Sequence, residues 1–359
     1  MQLFRCQNCG QLLYFENTHC ERCSFRLGYL PWASNLSALD ADGDLWLTLA
    51  KPRHEVRFCE NAGYDVCNWL MDPSDAGTRC EACRYNRTIP DLSIEQNVSR
   101  WRRIESAKHW LFYSLLRLGL PLKSQADDPG SGLAFDFLAD GASPTGPKVL
   151  TGHDNGLITL ALAEADDVER ERRRTRMGEP YRSPLGHFRH EIGHYFWDVL
   201  VRDGGLIDEC RQVFGDDSKD YNAALQAYYQ NGAPSDWQQH FVSAYATSHP
   251  WEDWAETWAH YLHIVDTLEM GSAFGIRVQP LITRDETLTT EIDLDPYQSN
   301  DMEEIIGAWL PLTFAMNSLN RAMGNHDVYP FVLSPAVITK LGFVHSVVHQ
   351  TAATRGQSQ

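Results

Sequence analysis

The chain has 359 residues with 31 Lys and Arg against 48 Asp and Glu, a formal charge of −17 and a pI near 5.2; 43% of the residues are hydrophobic. An acidic field of that size repels nucleic acid and anionic lipid, so neither is a default partner. The length fits about two domains with a sizeable core. No apolar run follows a basic start and no stretch approaches a bilayer span, so the expectation is a soluble, cytoplasmic protein.

Eight of the nine cysteines lie between Cys6 and Cys83. Cys6-x-x-Cys9 and Cys20-x-x-Cys23 are two knuckles that together offer four thiolates to one tetrahedral zinc. Gly10 and the short link from Gln11 to His19 give residues 1–30 the layout of a zinc ribbon. A redox reading of one CxxC competes, but two pairs at this spacing are better explained by a shared metal. Between Trp32 and Ala50, the turn Asp40–Asp44 precedes an alternating strand, Leu45–Leu49. The Asp cluster lacks the bidentate Glu of a calcium loop and is read as a turn. Cys59, Cys67, Cys80 and Cys83 form a second four-cysteine set in a module over 31–92, with His54 as a substitute ligand that the spacing does not require. A reduced CxxC with two buried thiols is its competing reading. Cys210 stands alone and reads as a packed thiol. So small a core needs its metal, worth ~10–16 kcal/mol per structural zinc.

From residue 93 the pattern changes. Trp101, Ile104, Lys108, Leu111, Leu115 and Leu118 keep helical spacing, Arg102, Arg103 and Glu105 are expected to face out, and Gly119 and Pro121 end the helix. Two strand-like runs follow, 133–138 and 156–162, split by the turn-rich 141–146. The charged run Glu169–Arg176 reads as a solvated loop or helix start.

His190-Glu191-x-x-His194 is the chemical centre of the chain. On a helix, residues four apart share a face, so two imidazoles can hold one cation with Glu191 beside the water that a bound zinc activates. Gly193 permits close approach of another segment. Downstream, Pro250 opens a helix in which Trp254, Trp258 and Leu262 recur every four residues, placing Glu252 and Glu256 on a common face. Two carboxylates one turn apart among tryptophans need a cation. Glu252 is assigned as the third ligand and Glu256 as the acceptor that orients a ligand histidine. The reverse assignment is open, since Glu256 and His260 are also four apart. Asp198, four residues after His194, is a second candidate for orienting an imidazole. Further helical patterns run over 206–214, 220–229 and 302–322, a last apolar segment runs over 336–348, and 350–359 reads as a frayed polar tail.

HExxH on one helix and ExxxE on the next resembles the gluzincin metallopeptidases. The wording HFRHEIGHYFWD and SHPWEDWAETWAHYLH more specifically resembles a bacterial family of zinc-binding metallopeptidases with an N-terminal zinc ribbon, from Cys6 to about Val344. The resemblance implies an α+β chain: zinc-ribbon modules, then a mainly helical zincin-like metallopeptidase domain with a small sheet over 93–349. It implies hydrolysis of peptide bonds, and with the two cysteine sets read above the chain is expected to hold one catalytic and two structural zincs, with Glu191 as general base. It implies an edge strand, assigned to 157–162 with Leu157, Ile158, Thr159 and Leu160, that aligns an extended peptide substrate. It also implies a tyrosine over the oxyanion, for which Tyr245, seven residues before Glu252, is the choice over Tyr195, Tyr221, Tyr228, Tyr229 and Tyr261. His249 and His187 compete for that role, and His263 is read as structural.

A reading from another class stays open: a zinc-ribbon protein-interaction module with a non-catalytic HExxH site. A structural zinc is normally closed by four protein ligands, and His260 or His249 as a fourth would favour it. A nucleic-acid-binding ribbon has little support, because residues 1–30 balance Arg5, Arg22 and Arg26 against Glu16 and Glu21.

Overall fold

The computed structural model describes residues 2–140, 149, 151–177, 182–282 and 286–356; the turn-rich stretch 141–146 lies outside them. The protein is α+β and divides into two compact units. The first takes in Pro121–Met177 and Ser183–Phe188 with almost everything before them; the second is built from Arg189 onward, with Leu118–Leu120.

In the first unit, β1 (Phe4–Arg5) pairs with β2 (Leu12–Leu13). Five strands follow in a consecutive antiparallel sheet: β3 (Arg26–Leu30), β4 (Asn35–Asp42), β5 (Leu45–Thr48), β6 (Glu55–Phe58) and β7 (Leu70–Met71). The expected turn at Asp40–Asp44 is tighter than the sequence implied. Asp42 pairs with Leu45, leaving Gly43 and Asp44 as a two-residue loop in which Gly43 takes φ +61°.

The chain then enters β8 (Asn86–Thr88), α1 (Glu95–Arg117), β9 (Ala134–Leu138), β10 (Gly152–Asp154), β11 (Leu157–Ala161) and α2 (Asp167–Met177). The order β10–β11–β9–β8 corrects one expectation. β11, chosen as the strand that receives a peptide, is flanked by β10 on one side and β9 on the other. Leu157, Ile158 and Thr159 are therefore paired on both sides, and Leu160 is paired with Phe137 of β9, so β11 is an inner strand of the sheet. The edge on that side is β10.

The cysteine-rich segments are not separate from α1. Phe15 meets Trp69, Trp110 and Tyr113 edge-on at 5.5–6.3 Å, and Tyr29 joins the same aromatic cluster. The division at 92/93 is thus a boundary in sequence, while α1 and the four-stranded sheet pack into one unit with the cysteine modules. Glu105, expected to face solvent, is fully buried with Lys108. The two are 3.0 Å apart, and Glu105 also accepts from Trp101 Nε1 and Asn86 Nδ2.

The second unit holds most of α3 (Pro184–Phe196), then α4 (Ile207–Phe214), α5 (Tyr221–Asn231), α6 (Pro250–Ala273), the short pair β12 (Arg277–Val278) and β13 (Thr290–Glu291), α7 (Met302–Ala322) and α8 (Pro335–Gly356). The tail read as frayed is helical as far as Gly356. α6 runs through the middle of this unit, with Trp254, Trp258, Tyr261 and Leu262 fully buried. α3 lies directly against it at Gly193. A Cβ there would stand 3.1 Å from Ala255 Cα and 3.2 Å from Trp258 Cβ, and Trp254 Nε1 donates to the Gly193 carbonyl at 2.8 Å. Among the described residues no helix is long and apolar enough to cross a membrane.

Candidate metal centres

The first cysteine cluster is built from two matching turns. Gly10 N–H closes on the Cys6 carbonyl at 2.9 Å and Ser24 N–H on the Cys20 carbonyl at 2.8 Å, with Gly10 and Ser24 both at positive φ. The turns face each other, putting Cys6 Sγ 3.6 Å from Cys23 Sγ and Cys9 Sγ 3.6 Å from Cys20 Sγ. The second cluster, Cys59, Cys67, Cys80 and Cys83, shows the same spacing, 3.7 Å from Cys67 to Cys80, despite its stretched first knuckle. A tetrahedron of Zn–S bonds of about 2.3 Å has edges of about 3.8 Å, so both sets fit a zinc ion. His54 is exposed and takes no part.

The two clusters differ in their surroundings. Cys9 and Cys23 of the first are half-buried, whereas all four thiols of the second are buried. Behind Cys83 lies the Glu105–Lys108 pair, and His109 Nε2 stands 3.6 Å from its sulfur. His109 Nδ1 meets the Glu105 carbonyl, an acceptor, and therefore carries a proton.

The third centre gathers His190, His194 and Glu252. Glu252 Oε2 is buried and makes no hydrogen bond, yet it lies 3.0 Å from His190 Nε2 and 3.5 Å from His194 Nε2. Three lone-pair atoms so placed match the edges, about 3.3 Å, of a tetrahedron with bonds of 2.0–2.1 Å, and a zinc ion fits between them. His190 Nδ1 donates to Glu256 Oε1 at 2.7 Å, which fixes its proton there and leaves Nε2 free to bind. Ser243 Oγ holds the other oxygen of Glu256 at 2.5 Å. Glu252 thus lies inside the donor set and Glu256 behind it, against His190.

Glu191 is buried, and desolvation raises its pKa above the ordinary carboxylate value, a direction that suits a proton acceptor. Tyr245 lies 6.0 Å from the His190 ring, centroid to centroid. Burial, with Glu252 nearby, raises its pKa and keeps it a neutral phenol.

The rival candidates have other tasks. His249 caps α6: its Nδ1 accepts from Trp251 N–H, so Nε2–H donates to the Lys219 carbonyl. His260 Nδ1 pairs with the Tyr329 hydroxyl at 2.6 Å, and burial holds its pKa down to about 4. His187 lies 3.4 Å from Glu164, and His263 meets Arg189. None of the four belongs to the donor set, so neither His260 nor His249 closes it as a fourth ligand. Asp198, on the π-turn over Trp197–Arg202, accepts from Arg202 at 2.7 Å and also lies within electrostatic reach of His194. Cys210 is a packed thiol, pushed up to about 12 by burial.

Two neighbours of the centre were not singled out by sequence. Tyr221 donates its hydroxyl to Glu252 Oε1 at 2.5 Å, and Trp251 lies over the His194 ring at 3.8 Å. Trp251 adjoins Glu252 in the SHPWEDW stretch and was within reach of inspection. Tyr221 is 31 residues away, with no local signal of its role.

Two family models match the chain. One, described as "putative zinc-binding metallo-peptidase", covers residues 97–347; the other, a zinc-ribbon domain, covers 3–94. Uncharacterized proteins of Mycobacterium bovis and of two Mycobacterium tuberculosis strains are each 40% identical over 353 residues, spanning 98% of this chain and 96% of the relative. No solved structure matches.

Proposed function

The chain belongs to this zinc-binding metallo-peptidase family, and on that premise we propose that it hydrolyses peptide bonds at the His190–His194–Glu252 centre. The observation that carries the reading is the Oε2 atom of Glu252, buried without a hydrogen bond against two histidine Nε2 atoms. A zinc ion held there would supply Lewis acidity and lower the pKa of a water to about 7. Glu191 takes the proton of the attacking water and delivers it to the leaving amine nitrogen. Burial prepares it for both steps, because a raised pKa makes it a stronger base and a carrier that holds the proton long enough to pass it on. Tyr245, a neutral phenol beside His190, donates its hydrogen to the developing oxyanion. The three-donor set, with His249 and His260 engaged elsewhere, favours this reading over a closed, non-catalytic site.

The test is Glu191→Gln, assayed on a proteome-derived peptide library by mass spectrometry with zinc per chain measured in parallel. Turnover should fall by about 100- to 10,000-fold with zinc content unchanged. Cleavage at the wild-type rate would reject the role of Glu191.

A further inference from the structure

The fold treats the two oxygens of Glu252 differently. Oε2 faces both histidine Nε2 atoms, while Oε1 receives the Tyr221 hydroxyl at 2.5 Å, the short distance of a bond between a hydroxyl and an ionised carboxylate. Tyr221 is fixed on several sides. It opens α5 directly after Asp220, whose side chain caps that helix by accepting from Ala223 N–H at 2.9 Å. Its ring stands edge-on to His249 at 5.3 Å and to Trp251 at 5.6 Å.

A carboxylate can bind a metal through one oxygen or two. With Oε1 released, the second oxygen could swing onto the metal and fill the position that a hydrolytic site keeps open. We propose that Tyr221 is a positioning residue that holds Glu252 as a one-oxygen ligand and so keeps the centre open for water and a substrate carbonyl. This deepens the peptidase reading and rests on it, since Glu252 must be a ligand.

The experiment uses the full chain with both cysteine clusters left zinc-loaded and the histidine centre alone emptied by dipicolinate and refilled with Co(II). Visible absorption of that cobalt reports coordination number, and chelator competition reports affinity. Tyr221→Phe keeps the ring packing and removes only the donated hydrogen. It should weaken the visible band, as expected for a higher coordination number, and change cobalt affinity by about 10- to 100-fold. Tyr245→Phe leaves the Tyr221–Glu252 bond in place and should keep the wild-type band. Glu252→Ala should release the cobalt. A wild-type band and affinity in Tyr221→Phe would overturn the positioning role while leaving the site reading intact. Cobalt retained with wild-type affinity by Glu252→Ala would overturn the site reading itself.

Discussion

The cysteine clusters and the histidine–carboxylate centre both gather metal donors, yet the chain uses them in opposite ways. Each cysteine cluster gathers four sulfurs at close to tetrahedral spacing, the first on two matching short turns. The histidine centre has three donors, and the helices that carry them are anchored without a metal, through Gly193 on Ala255, Trp254 on the Gly193 carbonyl and Glu256 on His190. In the first unit the sulfurs sit on short turns, whereas in the second the packing of two helices places the donors.

The largest effect should come from breaking a closed cluster. Cys80→Ser removes a donor from the second set, and the free energy at stake for a structural zinc is on the order of 10 kcal/mol. Zinc per chain should drop by one and the near-ultraviolet circular dichroism of the Tyr29–Trp69 cluster should collapse. The histidine centre should keep its metal. If that aromatic signal survives loss of the zinc, the cluster is not what holds the fold.

Next in size is the buried charge behind that cluster. Glu105→Leu strands the Lys108 ammonium in a site with no exposure, and removal of one partner of such a pair costs about 3–5 kcal/mol. Urea unfolding of the first unit should shift accordingly, and Lys108→Met in the same chain should recover part of the loss. Lack of recovery would mean that Glu105 matters through Trp101 and Asn86 instead.

These two examples also show what the sequence could and could not reveal. Both knuckles of the first cluster, the HExxH face and the Glu252–Glu256 pair were legible because ligand spacing is local: a turn or a helix sets it within a few residues. Lys108 was placed on the buried stripe by its period, but Glu105 was read as exposed because a carboxylate is normally solvated, and its partners Asn86 and Lys108 became visible only once β8 met α1. The same limit explains β11. Its strand pattern was clear, but whether a strand is an edge depends on which other segments pair with it, and β10 lies outside that pattern. Tyr221 reaches Glu252 across 31 residues, from the start of α5 to the start of α6, a contact that no periodicity encodes.

A smaller effect is expected in the second unit on acidification. Burial holds His260 and His345 to pKa values of about 4, below the ~6.5 of an unfolded chain. The unfolded state then binds more protons between those values, so stability is full above about 6.5 and declines as pH falls toward 4, by on the order of a few kcal/mol. Thermal midpoints measured from pH 7 to 4, on protein stripped of the metal at the histidine centre, should trace that decline. His260→Gln should flatten it. A pH-independent midpoint over that range would mean that buried Asp253, whose carboxyl burial pushes up to about 7, gains on acidification as much as these imidazoles lose.

The smallest effect separates position in sequence from position in space. Asp198 stands four residues after His194, the spacing at which a helix would let it orient that imidazole, but its carboxylate is engaged by Arg202. Asp198→Asn should therefore leave cobalt affinity at the histidine centre unchanged and alter stability by less than about 1 kcal/mol, the range of a partly exposed ion pair. Glu256→Gln, at the acid that does hold a ligand histidine, should lower the same affinity by about 10- to 100-fold. Equal losses in the two variants would mean that Asp198 orients His194 despite its bond to Arg202.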